Sequence, residues 1–282
     1  MITLPVSELR TRSMARHVKI AALLLSCFVP SVAKAQFAID KTELFLNPAD
    51  TSARNGVLMV RNEGPTRAQA TIKIEDWDRA EDGGNRFFAP GTLPQSCAST
   101  LKLFPLTLSL GPGESQAVRI DMDPAAARTM TSRECWSVVL VESAVPETGA
   151  NGRTLVYRLR TGMKVYVMPS GLTADGQVTD VAIRSATSLA NSKDTVEVAF
   201  QNTGTKHVVG RGRVEIRRPD NTTAAVVELP LAYALPGATM RVRAALPALA
   251  TGRYVVLAVM DYGGAEIAAA QLEHEVRADV RN

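Results

Sequence analysis

Reactive side chains are few. The 282-residue chain holds three His and three Cys, and beyond residue 35 only His207, His274, Cys97 and Cys135 remain. No HExxH, GxSxG or GxxxxGK[ST] pattern occurs, and no Cys/His group has zinc spacing, so nothing converges on a nucleophile, a phosphate cradle or a metal. The reading is of a protein that is not an enzyme, with no catalytic residue, no metal ligand and no cofactor assigned. Glu75, Asp76, Asp78, Glu81 and Asp82 crowd carboxylates into one stretch, but beside Arg79 and a Gly-Gly pair they read as a solvated loop. His207 and His274 read as surface or sheet-edge residues.

The chemistry that remains is binding chemistry, and it concentrates in GRTLVYRLRTGMKVYVMP, Gly152 to Pro169. Leu155, Tyr157, Leu159, Met163, Val165 and Val167 share one parity, while Arg158, Arg160 and Lys164 share the other. That period of two is a strand with an apolar face and a basic face. At about 3.3 Å per residue it runs to roughly 50 Å, against about 17 to 20 Å for an ordinary strand. Its surplus length needs a partner: another molecule, a hairpin arm within this protein, or a second sheet reached by a bend at Gly162.

The compartment sets the state of the cysteines. Arg10, Arg12, Arg16 and Lys19 precede the apolar run IAALLLSCFVPSVA, and Ala33-Lys34-Ala35 then stands before Gln36, the pattern of a secretory signal with its cleavage site. The run is too short to span a bilayer, and a lipoprotein-like box at Cys27 is the weaker reading because the run continues past it. Residues 1–35 hold five of the 32 Lys and Arg and one of the 28 Asp and Glu, so the remainder carries 27 of each and no formal net charge. The basic pI of about 9.1 belongs to the signal, and neither a nucleic-acid partner nor membrane insertion of the mature chain is indicated. An oxidising destination favours a Cys97–Cys135 disulfide, with two buried thiols as the alternative.

Two halves share one grammar. Short alternating segments such as FAIDKTELFL, GVLMVRN and CWSVVLVES recur before Pro169, and VEVAFQN, GRVEIRR and RYVVLAVMD after it, separated by Gly, Pro and Asn turns. VRNEG (Val60 to Gly64) is mirrored by FQNTG (Phe200 to Gly204), and LGPGE (Leu110 to Glu114) by ALPGA (Ala234 to Ala238). The fold class is therefore all-β, two immunoglobulin-like β-sandwich domains in tandem: 36–169 with the long strand at 153–168, then 170–282.

Leu155, Tyr157, Leu159, Lys164 and Pro169, together with Arg119 in AVRI, Glu134 in SRECW and Asp261 in MDYGG, resemble the PapD-like periplasmic chaperones of chaperone–usher pilus assembly. The resemblance implies a periplasmic protein for fimbrium biogenesis that stabilises a pilin-like or other exported β-sandwich subunit by donor-strand complementation, with an outer-membrane usher as a further partner. It implies that Leu155, Tyr157 and Leu159 fill the subunit's groove, that Lys164 helps hold its terminal carboxylate, and that Arg119, Glu134 and Asp261 form an interdomain charge cluster. The family's second cation, an arginine on the first strand, falls here on Glu43, with Lys41 nearby, and the Asp78 to Thr100 insert and the cysteine pair are unlike common members. The alternative is a structural or adhesive cell-envelope protein that kept the architecture and lost the chaperoning.

Intact-mass measurement of the exported protein should give a chain beginning at Gln36 without lipid. A lipid-bearing Cys27 would overturn that reading.

Overall fold

Alternation of apolar and polar side chains becomes strand almost everywhere. The computed structural model describes residues 36–130, 132–148, 151–185 and 194–277; the signal segment, with Cys27, lies outside the described residues. The first half contains β1 (Phe37–Ile39), β2 (Glu43–Leu46), β3 (Asn55–Asn62), β4 (Ala68–Arg79), β5 (Asn85–Phe88), β6 (Leu101–Phe104), β7 (Thr107–Leu110), β8 (Ser115–Met122), the short helix α1 (Pro124–Thr129), β9 (Cys135–Thr148) and β10 (Thr154–Val167). The second contains β11 (Gly176–Arg184), β12 (Thr195–Asn202), β13 (Val208–Arg217), β14 (Thr223–Glu228), β15 (Ala232–Ala234), β16 (Thr239–Ala245), β17 (Gly252–Asp261) and β18 (Ala268–Val276).

These strands make two sandwiches. In the first, a sheet ordered β1-β3-β8-β6 packs on one ordered β2-β10-β9-β4-β5, with β7 added to β4. Val60, Ile120, Ile72, Val139, Met163 and Val165 fill the space between them. In the second, β11-β12-β16 packs on β14-β13-β17-β18, with β15 on β13, around Val198, Phe200, Val214, Ile216, Val256 and Met260. Each half thus buries its own apolar faces, as the tandem reading requires.

FAIDKTELFL, expected as one strand, is two. Phe37–Ile39 pairs antiparallel with β3, whereas Glu43–Leu46 pairs parallel with β10 in the opposite sheet. Asp40 marks the crossing: its N–H donates to the Met59 carbonyl at 3.2 Å and its carboxylate accepts from the Met59 N–H at 2.9 Å. The segment therefore edges both sheets and closes one side of the sandwich.

The repeated landmarks are bonded to each other. Asn62 is fully buried, its amide nitrogen donates to the Leu110 and Thr66 carbonyls at 2.8 Å, and its Oδ1 accepts from Gly64 N–H at 2.9 Å. Asn202 repeats this with Ala234, Lys206 and Gly204, each at 2.9 Å. The backbone completes the clasp, since Gly113 N–H donates to Asn62 O at 2.9 Å and Gly237 N–H to Asn202 O at 3.0 Å. Gly113 and Gly237 have φ of +73° and +79°, where a Cβ is strained. An Asn turn and a distant Pro-Gly turn recur in the same order because one buried amide satisfies both.

Cys97 and Cys135 form a disulfide with their Cα atoms 5.4 Å apart, across a sequence separation of 38. The double substitution Cys97→Ser, Cys135→Ser should lower unfolding stability by about 3 to 4 kcal/mol by releasing that loop in the unfolded chain. Denaturant unfolding of the oxidised parent and the variant checks this.

Candidate functional site

The long strand is half paired. On one edge β10 runs antiparallel to β9 without a register break from Thr154↔Thr148 to Val167↔Cys135, so Gly162 bends it into no second sheet. Gly162 instead admits close neighbours, since a Cβ there would stand 3.0 Å from Leu140 Cδ2 and 3.1 Å from Val138 Cγ2. On the other edge, β2 pairs only with Lys164–Val167. Among the described residues no strand covers that edge from Leu155 to Arg160.

The apolar face outruns the core. Met163, Val165 and Val167 are fully buried, whereas Leu159, Tyr157 and Leu155, on the same parity, are 38%, 46% and 60% exposed. None of the three belongs to the buried core of the first sandwich. A strand of core-like sequence therefore projects with three apolar side chains on one face and open backbone groups on one edge, the arrangement that invites a further strand.

The opposite face is largely neutralised. Arg160 pairs with Glu75 and, at 3.3 Å, with Glu142, while Arg158 lies 3.6 Å from Glu142. A hydrogen bond from Lys73 at 2.7 Å, with help from the two arginines, holds the Glu142 carboxyl below the usual carboxylate range. Glu75, Asp78, Glu81 and Asp76, read in sequence as a loop of free carboxylates, are likewise occupied: Arg160, Arg86, Arg241 and the Leu93 N–H with the Ser96 hydroxyl take one each.

Lys164 differs. Its ammonium lies 4.4 Å from the Trp77 ring centroid, and the guanidinium of Arg79 stands 5.9 Å from the same ring and 5.3 Å from that of Tyr233. Neither cation makes an ion pair among the described residues; Arg79 donates only to the Gly83 carbonyl, at 3.4 Å. Burial and then Arg79 pull the Lys164 ammonium below the ordinary lysine range, with Glu43, its register partner on β2, acting the other way. The Trp77 indole N–H is buried without an acceptor. Lys41, the other cation near Glu43 in sequence, pairs with Asp40 at 3.4 Å. Arg79, which sequence reasoning passed over as one charge in a loop, is the cation that shares the Trp77 ring with Lys164.

Around these cations an apolar cluster joins the two sandwiches. Trp77, Trp136, Val138, Leu140 and Tyr166, on the outer face of β4, β9 and β10, pack with Leu235 of the second sandwich. Phe45, Tyr166 and His207 stack, with Tyr166 and His207 centroids 4.4 Å apart. Burial, then the Glu43 and Glu134 carboxylates, push the Tyr166 phenol well above its ordinary range.

The expected charge cluster of Arg119, Glu134 and Asp261 does not form. Arg119 is 65% exposed on the outer face of β8, 3.5 Å from Asp121. Asp261 caps its own turn by accepting from Gly263 N–H at 2.9 Å. Only Glu134 is buried between the domains, and it meets His207: its carboxylate takes the His207 backbone N–H at 2.5 Å and Nδ1 at 2.6 Å. Strand parity decides this, because Arg119 points away from the core whose neighbours Val118 and Ile120 fill it. His207, expected at the surface, is the interdomain partner instead.

These features define a tandem β-sandwich protein with an overhanging, half-open strand leading to two cations that share the Trp77 ring. No family model and no curated protein matches the chain. Solved structures similar to it include the CsuC–CsuE chaperone–tip adhesion subunit complex from archaic chaperone-usher Csu pili of Acinetobacter baumannii, at 13% identity and a TM-score of 0.43, covering 84% of this chain and 98% of that one. The CupB2 chaperone of Pseudomonas aeruginosa is similar at 16% identity and 0.42, covering 85% and 100%. The SafB chaperone complex with the SafA pilin of Salmonella enterica is similar at 13% and 0.40, covering 86% and 97%.

Glu134→Ala should destabilise the protein by about 1 to 3 kcal/mol, because it strips the part-buried His207 donors of a fully buried acceptor. Arg119→Ala and Asp261→Ala should each cost about 0 to 1 kcal/mol, as for exposed pairs. Thermal melts of the three variants side by side give the ranking.

Proposed function

We propose that this protein is a non-enzymatic periplasmic chaperone-like protein that stabilises a pilin-type or other exported β-sandwich subunit by lending it β10. One observation carries the reading: Leu155, Tyr157 and Leu159 continue the core face of β10 past the end of its own core, beside an uncovered edge. A sandwich lacking a strand exposes an apolar groove and unpaired backbone edges. An overhanging strand supplies what both need, alternate apolar side chains and main-chain hydrogen bonds.

The cleft supports the direction of docking. The open edge stops at Lys164, where β2 takes over, so a partner strand laid along it runs out beside Lys164 and Arg79. A chain-terminal carboxylate at that point meets two cations, and Glu43, standing where the resemblance leads one to look for an arginine, is offset by Arg79 from β4. Folding of the subunit against the lent strand supplies the free energy, with no nucleotide or metal invoked. An usher, as the resemblance implies, would take the loaded complex.

Tyr157→Asp should abolish co-purification of an exported β-sandwich subunit, identified by mass spectrometry, while leaving the melting temperature unchanged, since the residue is buried only in the complex. Lys164→Ala and Arg79→Ala should each weaken capture by roughly ten- to a hundredfold. A bound carboxylate favours charged Lys164, so capture takes up protons and fades as pH rises through a lysine pKa lying below the ordinary value of about 10.4. If Tyr157→Asp unfolds the empty protein, that face belongs to its own core and the reading fails.

A further inference from the structure

The Asp78 to Thr100 insert is built as a tether between the sandwiches. Its root is fixed on the first one. Asp76, fully buried, accepts from Leu93 N–H at 2.9 Å and from the Ser96 hydroxyl at 2.5 Å, and the Arg86 guanidinium grips Asp78 with two bonds of 2.6 and 2.7 Å across the β4–β5 hairpin. The returning chain is then stapled to β9: Trp136 N–H donates to Gln95 O at 3.0 Å, and Cys97 is bonded to Cys135.

The tip lies on the second sandwich. Arg241 N–H donates to the Glu81 carbonyl at 2.7 Å, and its Nε lies 2.6 Å from the Glu81 carboxylate. β16 is the last strand of its sheet, so this backbone bond covers an otherwise open edge. Arg241 is itself braced by Asp180 at 3.6 Å and by Glu197 at 3.5 Å; buried Glu197 is also held by Arg184 at 2.9 Å and Arg243 at 2.5 Å. The contact is thus anchored at both ends, by a disulfide in one domain and a charge network in the other. Arg79 lies two residues before Glu81 and stacks on Tyr233 of β15.

We propose that the β4–β5 hairpin is an interdomain strap, with Glu81 and Arg241 as positioning residues that fix the second sandwich against the first and so set the gap beside Arg79 and Lys164. The statement about orientation concerns the empty protein alone; the consequence for partner binding rests on the function proposed above. Because the Arg241 N–H donates to the Glu81 main-chain carbonyl, which Glu81→Ala keeps, its hydrogen exchange reports whether the hairpin stays seated once the side-chain pair is gone.

The test compares the parent with Glu81→Ala and with the Cys97→Ser, Cys135→Ser double variant, by amide hydrogen exchange and small-angle scattering. In Glu81→Ala, exchange at Arg241 should rise by about tenfold or more while amides within the β12–β16 ladder keep their protection, and scattering should broaden toward several domain orientations. The Glu81–Arg241 ion pair is partly exposed, so about 1 M salt should raise Arg241 exchange in the parent and leave Glu81→Ala unmoved. The cysteine variant should show the same loosening; if it does not fold, Glu81→Ala decides. Unchanged Arg241 exchange and unchanged scattering in Glu81→Ala would overturn the strap, whatever becomes of subunit capture. Loosened orientation with unaltered capture would instead leave the strap standing and remove its role in binding.

Discussion

A mismatch of length governs this molecule. β10 is long enough to face two cores, and its own sandwich covers only Met163 to Val167 on its apolar side. Fully burying a large apolar side chain is favourable by about 1.5 to 3 kcal/mol, so three left half exposed on one face represent burial not yet taken. The same strand is paired along one edge and bare along most of the other. Three features leave the strand in that position: the unbroken pairing with β9, the short β2 that reaches only to Glu43, and the crossing at Asp40 that sends β1 to the other sheet.

The polar face of β10 keeps the overhang soluble without making it a general anion trap. Glu142 and Glu75 absorb Arg158 and Arg160, so among the described residues of this face of β10 it is Lys164 that makes no ion pair. There, one tryptophan ring carries two cations, and burial first and Arg79 second hold the Lys164 ammonium below the ordinary lysine range. Placing like charges together in a half-buried cleft costs stability until an anion arrives. On the function proposed above, this is the point at which a subunit's carboxylate would bind.

Both sandwiches use the same Asn clasp, yet their joint is built from unique parts. Glu134 meets His207, Leu235 packs on Trp77 and Trp136, and Glu81 reaches Arg241. Two of these three contacts use the Asp78 to Thr100 segment or Trp77 at its root, so that hairpin carries much of the joint beside the Glu134–His207 contact.

The sequence by itself determined the strand content, the tandem halves and the parity of β10, because each follows from local periodicity and turn chemistry; it favoured a Cys97–Cys135 bridge, which the structure shows. Asn62 and Asn202 were legible as a repeat, though not as amides bonded to the Pro-Gly turns. Only the tertiary structure decided which charges meet. Arg119, Glu134 and Asp261 sit on three separated segments, and whether they converge depends on strand parity and domain angle, neither of which is encoded within a few residues. For the same reason Arg79, His207 and Glu81 carried no signal as isolated letters; their roles arise from what the opposite sheet or the other sandwich places within a few ångströms of them. The extent of the overhang was decided there too, since a strand's own residues set its face, while the length of the sheet opposite sets how much of that face is left uncovered.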